Sequence, residues 1–286
     1  MNIYYLNSFF SLKYSILFQV LNKLNLFNKK TILIAPRGEL TNGAFSIKTR
    51  KKKVYLFLFK KFLLKKNIKF HFTNQTEALE AINLIGNVPY NIAPNMHDIP
   101  SQYMQKNKTS GIVNLIYLSR VTEKKNLHTV CEVLSKIKDG KINFTIAGNI
   151  EKDEYWKSCL KILEENKDIV SLNYVGSLHP KEVSLVLQKN HLFFLPTLNE
   201  NYGHAIVEAM INSNIVLISN NTPWSLVKNY GGGVFHEYDI DKYISFIEKI
   251  IKMDNAEFNH VTKNIHAYIL HELNKNIENI QEAFNE

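Results

Sequence analysis

Cysteine is nearly absent from the chain: two in 286 residues, Cys131 and Cys159. Their spacing fits neither a metal site nor a redox motif, so a disulfide framework and a zinc module are excluded, and a reducing compartment with packing roles for both thiols is implied. Long apolar runs are missing too. The apolar, aromatic N-terminus "MNIYYLNSFFSLKYSILFQVLNKLNLF" is interrupted by Asn7, Lys13, Asn22 and Lys23, before it reaches the ~18–20 residues a membrane span needs. It has no basic leader region and no small-residue cleavage site, which argues against a signal peptide; the segment is expected to form a buried or amphipathic helix. Clusters of histidine are lacking. The Asp-x-Asp spacing "DID", Asp239 to Asp241, precedes a helical pattern and reads as its cap. Low-complexity tracts are absent, and with 45% hydrophobic and 21% charged residues the chain is expected to fold into about two domains.

Positive charge is plentiful, with a formal net charge of +9. The densest cluster is "KTRKKK", Lys48 to Lys53, continued by Lys60, Lys61, Lys65 and Lys66 around the apolar "VYLFLF". This segment reads as a basic amphipathic helix, either a solvated face or a dock on an anionic membrane surface. No nucleic-acid motif accompanies the charge, and a nucleic-acid binder would rest on net charge alone.

Short apolar runs alternate with helical patterns almost throughout. Strands are predicted at "TILIAP", "IKFHFT" and "YNIAPN" in the first part, with helices at "VYLFLFKKFLLKK" and "NQTEALEAINLIG". After the polar, aperiodic linker candidate "HDIPSQYMQKNKTS", residues 97–110, strands follow at "IVNLIYLS", "INFTIAG", "IVSLNYVG", "HLFFLP" and "IVLISN", each separated from the next by a helix. "TPWSLVKN" and "YDIDKYISFIEKIIKM" read as two further helices. This rhythm predicts α/β architecture with parallel, doubly wound sheets in two Rossmann-like domains, 1–110 and 111–286, with the last helix packing back on the first domain. Ligands in such sheets lie beyond the carboxyl ends of strands, where Arg37, Ser119, Arg120, Gly148, Gly176 and Glu200 fall.

Glu200 and Glu208 bracket a turn, "ENYGHAIVEAM", that leaves one strand and opens a helix near His204. The helix N-terminus, with the amides of Asn201, Tyr202, Gly203 and His204, can hold phosphate. An acid in the helix can take ribose hydroxyls, and one in the loop can take the hydroxyls of a further sugar. Alone, the pair reads first as an exposed loop acid and a helix-stabilising acid. Arg120 and Lys125 in "SRVTEKKNL" add two cations past another strand, suited to a diphosphate; by themselves they could be a solvated basic loop.

Taken together, "ENYGHAIVEAM", "SRVTEKKNL", "IAG", "VGSLHPKEV" and "IAPN" resemble glycosyltransferase family 4, retaining enzymes of the two-Rossmann-domain GT-B type, over residues 31–286. "APRGELTNGAFSIKTRKKK" and "NNTPW" resemble its bacterial surface-polysaccharide branch. The resemblance implies hexosyl transfer with retention from a nucleotide-sugar, UDP- or GDP-linked, to a lipid-linked or saccharide acceptor in lipopolysaccharide, O-antigen or capsule synthesis. It implies no metal and no further cofactor. By position, Arg120 and Lys125 would hold the diphosphate and Glu200 would face the donor sugar, these three being the catalytic candidates. Glu208 would bind ribose; Asn201, Tyr202, Gly203 and His204 would line the sugar and phosphates. Gly176 and Ser177 would pass the base, with Gly148 beside them, and Arg37 would serve the acceptor side. His71 reads as a strand residue. The location implied is cytoplasmic, peripheral on the inner face of the inner membrane. Family members carry a strand, a Gly-rich loop and further βα units before the segment resembling "TILIAPRGEL"; the N-terminal domain is therefore expected to be incomplete, with catalysis impaired. The competing readings are a truncated, non-catalytic nucleotide-sugar-binding remnant or subunit, and a related epimerase, against which "PRGEL" and "TPW" speak. Asn126 stands where the family commonly has glycine and is expected to be tolerated at a helix start.

Overall fold

The structure, a computed structural model, describes residues 3–27, 30–41, 49–93 and 102–285. It divides into two compact units, Met1–Met96 with Asn274–Glu286, and His97–Leu273.

The first unit is built on a four-stranded, all-parallel sheet in the order β1 (Ile3–Leu6), β2 (Thr31–Ile34), β3 (Ile68–Phe72), β4 (Tyr90–Ile92). Side chains alternate between the faces of a strand. One face gathers Leu6, Ile32, Ile34, Ile68, Phe70 and Phe72 with Phe9 and Phe59 into a core, where the Phe9 and Phe59 rings meet edge-on, centroids 4.9 Å apart. The alternate positions carry Tyr5, Lys69, His71 and Asn91, with buried Leu33 between Tyr5 and Lys69. The helices are α1 (Leu17–Lys23), which continues a π-helical turn Leu12–Ile16, then α2 (Thr49–Leu58) with a second π-helical turn Phe59–Leu63, and α3 (Gln75–Ile85). α3 starts at Asn74, whose side chain accepts from the Glu77 amide, and stops at Gly86, φ 92°.

Two sequence expectations are corrected here. The N-terminus is not one helix: Ile3–Leu6 form β1, paired in register with Thr31–Ile34. Two tyrosines and an isoleucine in four residues favour a strand once a neighbour offers its edge. The basic helix is present but not amphipathic: Leu56 and Phe59 are buried, whereas Val54, Phe57, Leu58 and Phe62 are exposed. Its apolar residues occupy too many angular positions for one stripe. Lys48, the stretch 42–48 and residues 94–101 lie outside the described residues.

The second unit holds a six-stranded parallel sheet in the order β10-β9-β8-β5-β6-β7, from β5 (Ile112–Leu118), β6 (Lys141–Ala147), β7 (Val170–Gly176), β8 (Leu192–Leu195), β9 (Ile215–Ser219) and β10 (Gly233–Phe235). Between them run α4 (Leu127–Ser135), α5 (Asp153–Leu163), α6 (Pro180–Gln188) and α7 (His204–Ile211); α8 (Ile240–Lys252) and α9 (Asn255–Asn285) follow. β5, β8 and β9 are buried on both faces, through Val113, Leu115, Ile116, Phe193, Phe194, Val216 and Leu217, as expected for strands covered by helices on each side. β10, three residues behind Gly231 and Gly232, carries no strand signal in the sequence. "TPWSLVKN" becomes a 3₁₀ turn, Ser225–Tyr230. Asp239 does sit at the N-cap of α8 but bonds Lys242 Nζ at 2.6 Å instead of capping a backbone amide.

The described part of the linker candidate, from residue 102, is fastened to the second unit. Tyr103 Oη lies 2.7 Å from Thr262 Oγ1, and Asn259 Oδ1 accepts from the Lys106 amide at 3.0 Å. Buried Lys106 Nζ donates to the carbonyls of Leu187 and Asn190, while His191 Nε2 lies 2.9 Å from the Asn107 carbonyl. These polar residues lack periodicity because they are an extended strap, pinned by side chains rather than by a ladder.

Candidate active site

The order of the second sheet reverses at β5: β6 lies on one side, β8 on the other. At such a switch point the two outgoing connections part, leaving a crevice beyond the carboxyl ends of the strands. The loops bordering it are 119–126, from β5, and 196–203, from β8.

These loops are cross-linked. The Leu198 amide donates to the Lys124 carbonyl at 2.9 Å and Asn126 Nδ2 to the Pro196 carbonyl at 3.0 Å; the Glu200 amide is held by the Asn221 carbonyl, after β9, at 3.0 Å. Asn126 adopts φ 58°, the left-handed region that favours glycine. Asparagine is tolerated there, and its side chain uses the position to bind the neighbouring loop while also accepting from Thr129 Oγ1. Residues 123–125 form a 3₁₀ turn immediately before α4. This turn aims Lys125 at Glu200: the ammonium donates directly to the Glu200 carboxylate, with the two side chains only 13% and 17% exposed.

Arg120 pairs with Glu151, Nη1 to Oε1 2.5 Å, at the surface. Lys124 adds a third cation. Burial, followed by the nearby positive charges of Lys125 and Arg120 and opposed by Glu200, holds its ammonium below the usual lysine range. Glu151 and Lys124 were not expected at the site from the sequence. Lys124, at least, was legible as one more cation in "EKKN"; Glu151 is 31 residues from its partner and had no local signal.

Gly148 follows β6 at φ 146°, with its Cα against the Ser119 carbonyl: a β-carbon there would lie 1.9 Å from that oxygen. Its amide donates to the Gly176 carbonyl at 2.8 Å. Ser119, Gly148 and Gly176 thus lie side by side at the ends of β5, β6 and β7, with exposed Ser177 one residue on.

On the other side, Gly203 at φ 79° is the N-cap of α7, which begins at His204. Tyr202 is buried, and its backbone carbonyl accepts from Trp224 Nε1 at 2.5 Å while the two rings pack edge-on. Trp224, from "NNTPW", therefore props the turn that carries Asn201 and exposed His204. Glu208 lies one turn into α7, half-buried. Burial raises its carboxyl above the ordinary glutamate range, and among the described residues no donor to that carboxylate is found. A half-buried acid without a partner is costly unless a ligand supplies hydroxyls.

The structure therefore brings Arg120, Lys125, Gly148, Gly176, Ser177 and Glu200 through Glu208 to one end of one sheet. Arg37 belongs to the other unit, where it occupies the end of β2. Among the described residues no cluster of three or more histidine, cysteine or acidic groups is placed to hold a metal ion.

Two parallel-sheet Rossmann-like units define a glycosyltransferase fold of the GT-B class, and solved structures share it. The chain is similar to sucrose-phosphate synthase from Thermosynechococcus elongatus, with TM-score 0.69 and 15% identity over 92% of this chain and 68% of that one. It is similar to Anabaena HepE, solved with UDP and glucose, with TM-score 0.70 and 14% identity over 95% and 76%. It also matches a TarM variant from S. aureus, solved with fondaparinux, α-GlcNAc-glycerol and UDP, with TM-score 0.64 and 14% identity over 90% and 51%. No curated protein matches the chain. The sequence model of the family described as glycosyl transferases group 1 matches residues 101–266, more than half of the chain. The chain belongs to that family.

Proposed function

We propose that the protein transfers a hexosyl group, with retention, from a UDP- or GDP-sugar to a lipid-linked or saccharide acceptor in the synthesis of a surface polysaccharide such as lipopolysaccharide, O-antigen or capsule. The observation that carries this reading is the pairing of Lys125 with Glu200 at the switch-point crevice, within one turn-and-helix of the carboxylate of Glu208, which has no donor among the described residues. In this reading Glu208 takes the ribose hydroxyls. Lys125, Arg120 and Lys124 neutralise the diphosphate, whose charge grows as the glycosidic bond breaks, and the first turn of α7 adds its positive end. Glu200 holds the hexose. The leaving diphosphate accepts the acceptor's proton on the face it departs from, so configuration is kept. Charge compensation comes from the chain's cations, and the scheme calls for no metal.

No helix among the described residues is long and apolar enough to cross a membrane. For a lipid-linked acceptor, the exposed Val54, Phe57, Leu58 and Phe62, interleaved with Lys51, Lys53, Lys60 and Lys61, suit peripheral docking on an anionic inner leaflet.

Calorimetric titration with UDP, GDP, ADP and CMP tests the donor site. Selective binding of one nucleoside diphosphate, abolished by Glu208→Ala and by Lys125→Ala, is expected. A folded chain that binds none of them would defeat the reading; binding without transfer of the sugar to any acceptor would limit it to a nucleotide-sugar-binding subunit.

A further inference from the structure

The sheet of the second unit ends on two edge strands, β10 and β7. β10 has three residues, and shortness itself guards an edge. β7 runs for seven, and Ser171, Leu172, Asn173, Tyr174 and Val175 are all exposed. Among the described residues no strand pairs with its outer side. Open edges are ordinarily blocked by lysine, by proline or by a charge turned inward. None of these is used here: from Ile169 to Leu178 the sequence carries no charged residue and no proline, although lysine and arginine number 35 in the chain.

The ladder fixes which main-chain groups face outward. In a parallel pair, alternate residues of a strand point their N–H and C=O at the neighbour. Val170 lies beside Ile142, and the Ile142 amide donates to the Ile169 carbonyl at 2.9 Å. Ser171 and Asn173 therefore address β6, and Leu172 and Tyr174 turn their N–H and C=O to the open side. The register shift of the β6–β7 pair comes after Tyr174, next to Val175, so the stretch before it is regular. On one face, Tyr174 is steadied by Trp156, ring centroids 5.0 Å apart, and by a bond from its hydroxyl to the Gly148 carbonyl at 3.0 Å.

We propose that β7 is a self-association surface, on which two copies of the chain pair antiparallel about a twofold axis at Asn173. In that register Leu172 lies opposite the second copy's Tyr174. Both turn their main-chain groups outward, so the pair exchanges two hydrogen bonds, and the axis repeats the exchange. Asn173 meets its own copy in the close, non-bonded position between them, where one amide side chain donates and the other accepts. Ser171 falls opposite Val175. No like charges meet across the axis, so the charge-free stretch lets a chain of net charge +9 approach itself. The paired stretch stops before Gly176 and Ser177, and the association stands apart from the nucleotide-sugar reading.

Sedimentation equilibrium of the full chain tests it. An edge pair is a small interface, so a monomer–dimer equilibrium with a Kd of ~10–100 µM is expected. Asn173→Lys sets two ammonium groups against each other and should weaken the dimer tenfold or more; Asn173→Glu should do the same with two carboxylates. Mixing the two variants places opposite charges across the axis and should restore the dimer, a rescue that general destabilisation cannot give. Amide hydrogen exchange on the unmodified chain supplies the second readout. The amides of Leu172 and Tyr174 should gain protection between ~5 µM and ~500 µM chain, the range that spans the expected Kd, and that of Asn173 should be protected at both. A monomer throughout that range, a dimer that survives Asn173→Lys, folded variants that do not associate on mixing, or exchange at Leu172 and Tyr174 that ignores concentration overturns the proposal.

Discussion

The Lys125 ammonium bonds the Glu200 carboxylate across the two loops of the switch-point crevice, with little of either side chain left to solvent. An ion pair in that position occupies the cation that a diphosphate would need. Binding must then exchange one anion for another, and the carboxylate's charge stays beside the phosphates. Glu200→Gln is therefore expected to tighten UDP binding about fivefold, equivalent to ~1 kcal/mol, even as it removes the group assigned to the hexose. Lys125→Ala should weaken it tenfold or more, the loss of a charge-assisted bond worth ~1.5–3 kcal/mol. Calorimetry on the two variants checks both signs; weaker UDP binding by Glu200→Gln would mean that Glu200 does not compete for Lys125.

Glu208 differs in that no donor to its carboxylate is found among the described residues. Its carboxyl is raised by burial, so its protonated form is favoured in the folded chain relative to the unfolded one. The stability it contributes is full below the ordinary glutamate range, ~4.3, and is lost as pH rises through its raised value. Glu208→Gln should consequently melt higher than the parent at pH 7.5, and the gap should close at pH 4. The same substitution should weaken UDP binding by about one order of magnitude or more, because carboxylate–hydroxyl bonds are lost. Thermal melts at the two pH values, with and without UDP, measure both effects; a variant no more stable at pH 7.5 would mean the acid is satisfied without ligand.

The switch-point crevice was legible because its parts follow strands. An apolar run of known length fixes where its carboxyl end falls, so Arg120, Gly148, Gly176 and Glu200 could be placed from spacing alone. Their partners could not. The Arg120–Glu151 and Lys125–Glu200 pairs join residues 31 and 75 apart, and Tyr5 meets His71 across 66; sheet order, not sequence distance, makes them neighbours. Ile3–Leu6 was hidden because its four residues merge with the apolar pattern of the helix that follows. β10 was hidden behind glycines that normally mark a turn. Asn126 looked like a neutral replacement at a helix start, and only its positive φ shows that it fills a glycine's conformation and adds a bond that glycine lacks.

Gly148 and Gly176 share a positive φ but not their surroundings. A β-carbon on Gly148 would overlap the Ser119 carbonyl oxygen, whereas one on Gly176 meets nothing within 4 Å. Gly176→Ala should cost ~1 kcal/mol, the conformational penalty alone. Gly148→Ala must also push β5 and β6 apart and should cost ~3 kcal/mol or more. Denaturant unfolding of the two variants compares them; equal losses would mean that the β5 end yields freely, and with it the loop bearing Arg120 and Lys125.

His191 links the strap to the core of the second unit. Its Nδ1 accepts from the Asn114 amide at 3.0 Å, so Nε2 carries the proton donated to the Asn107 carbonyl. A second proton would have to enter at Nδ1, against an amide N–H. Burial, with the positive charges of Lys108 and Lys106 nearby and the Asn107 bond opposing, lowers the ring to about 4, against ~6.5 in an unfolded chain. The stability this ring contributes is present in full above pH ~6.5 and is lost as pH falls through about 4, up to ~3 kcal/mol for a shift of that size. His191→Gln cannot titrate. Relative to the parent it should be less stable at pH 7.5, with the difference shrinking steadily between pH 6.5 and 4. Urea midpoints at four or five pH values across that window measure the difference. Parallel curves would show that the imidazole tautomer does not hold the strap, and that Lys106 and Tyr103 fasten it unaided.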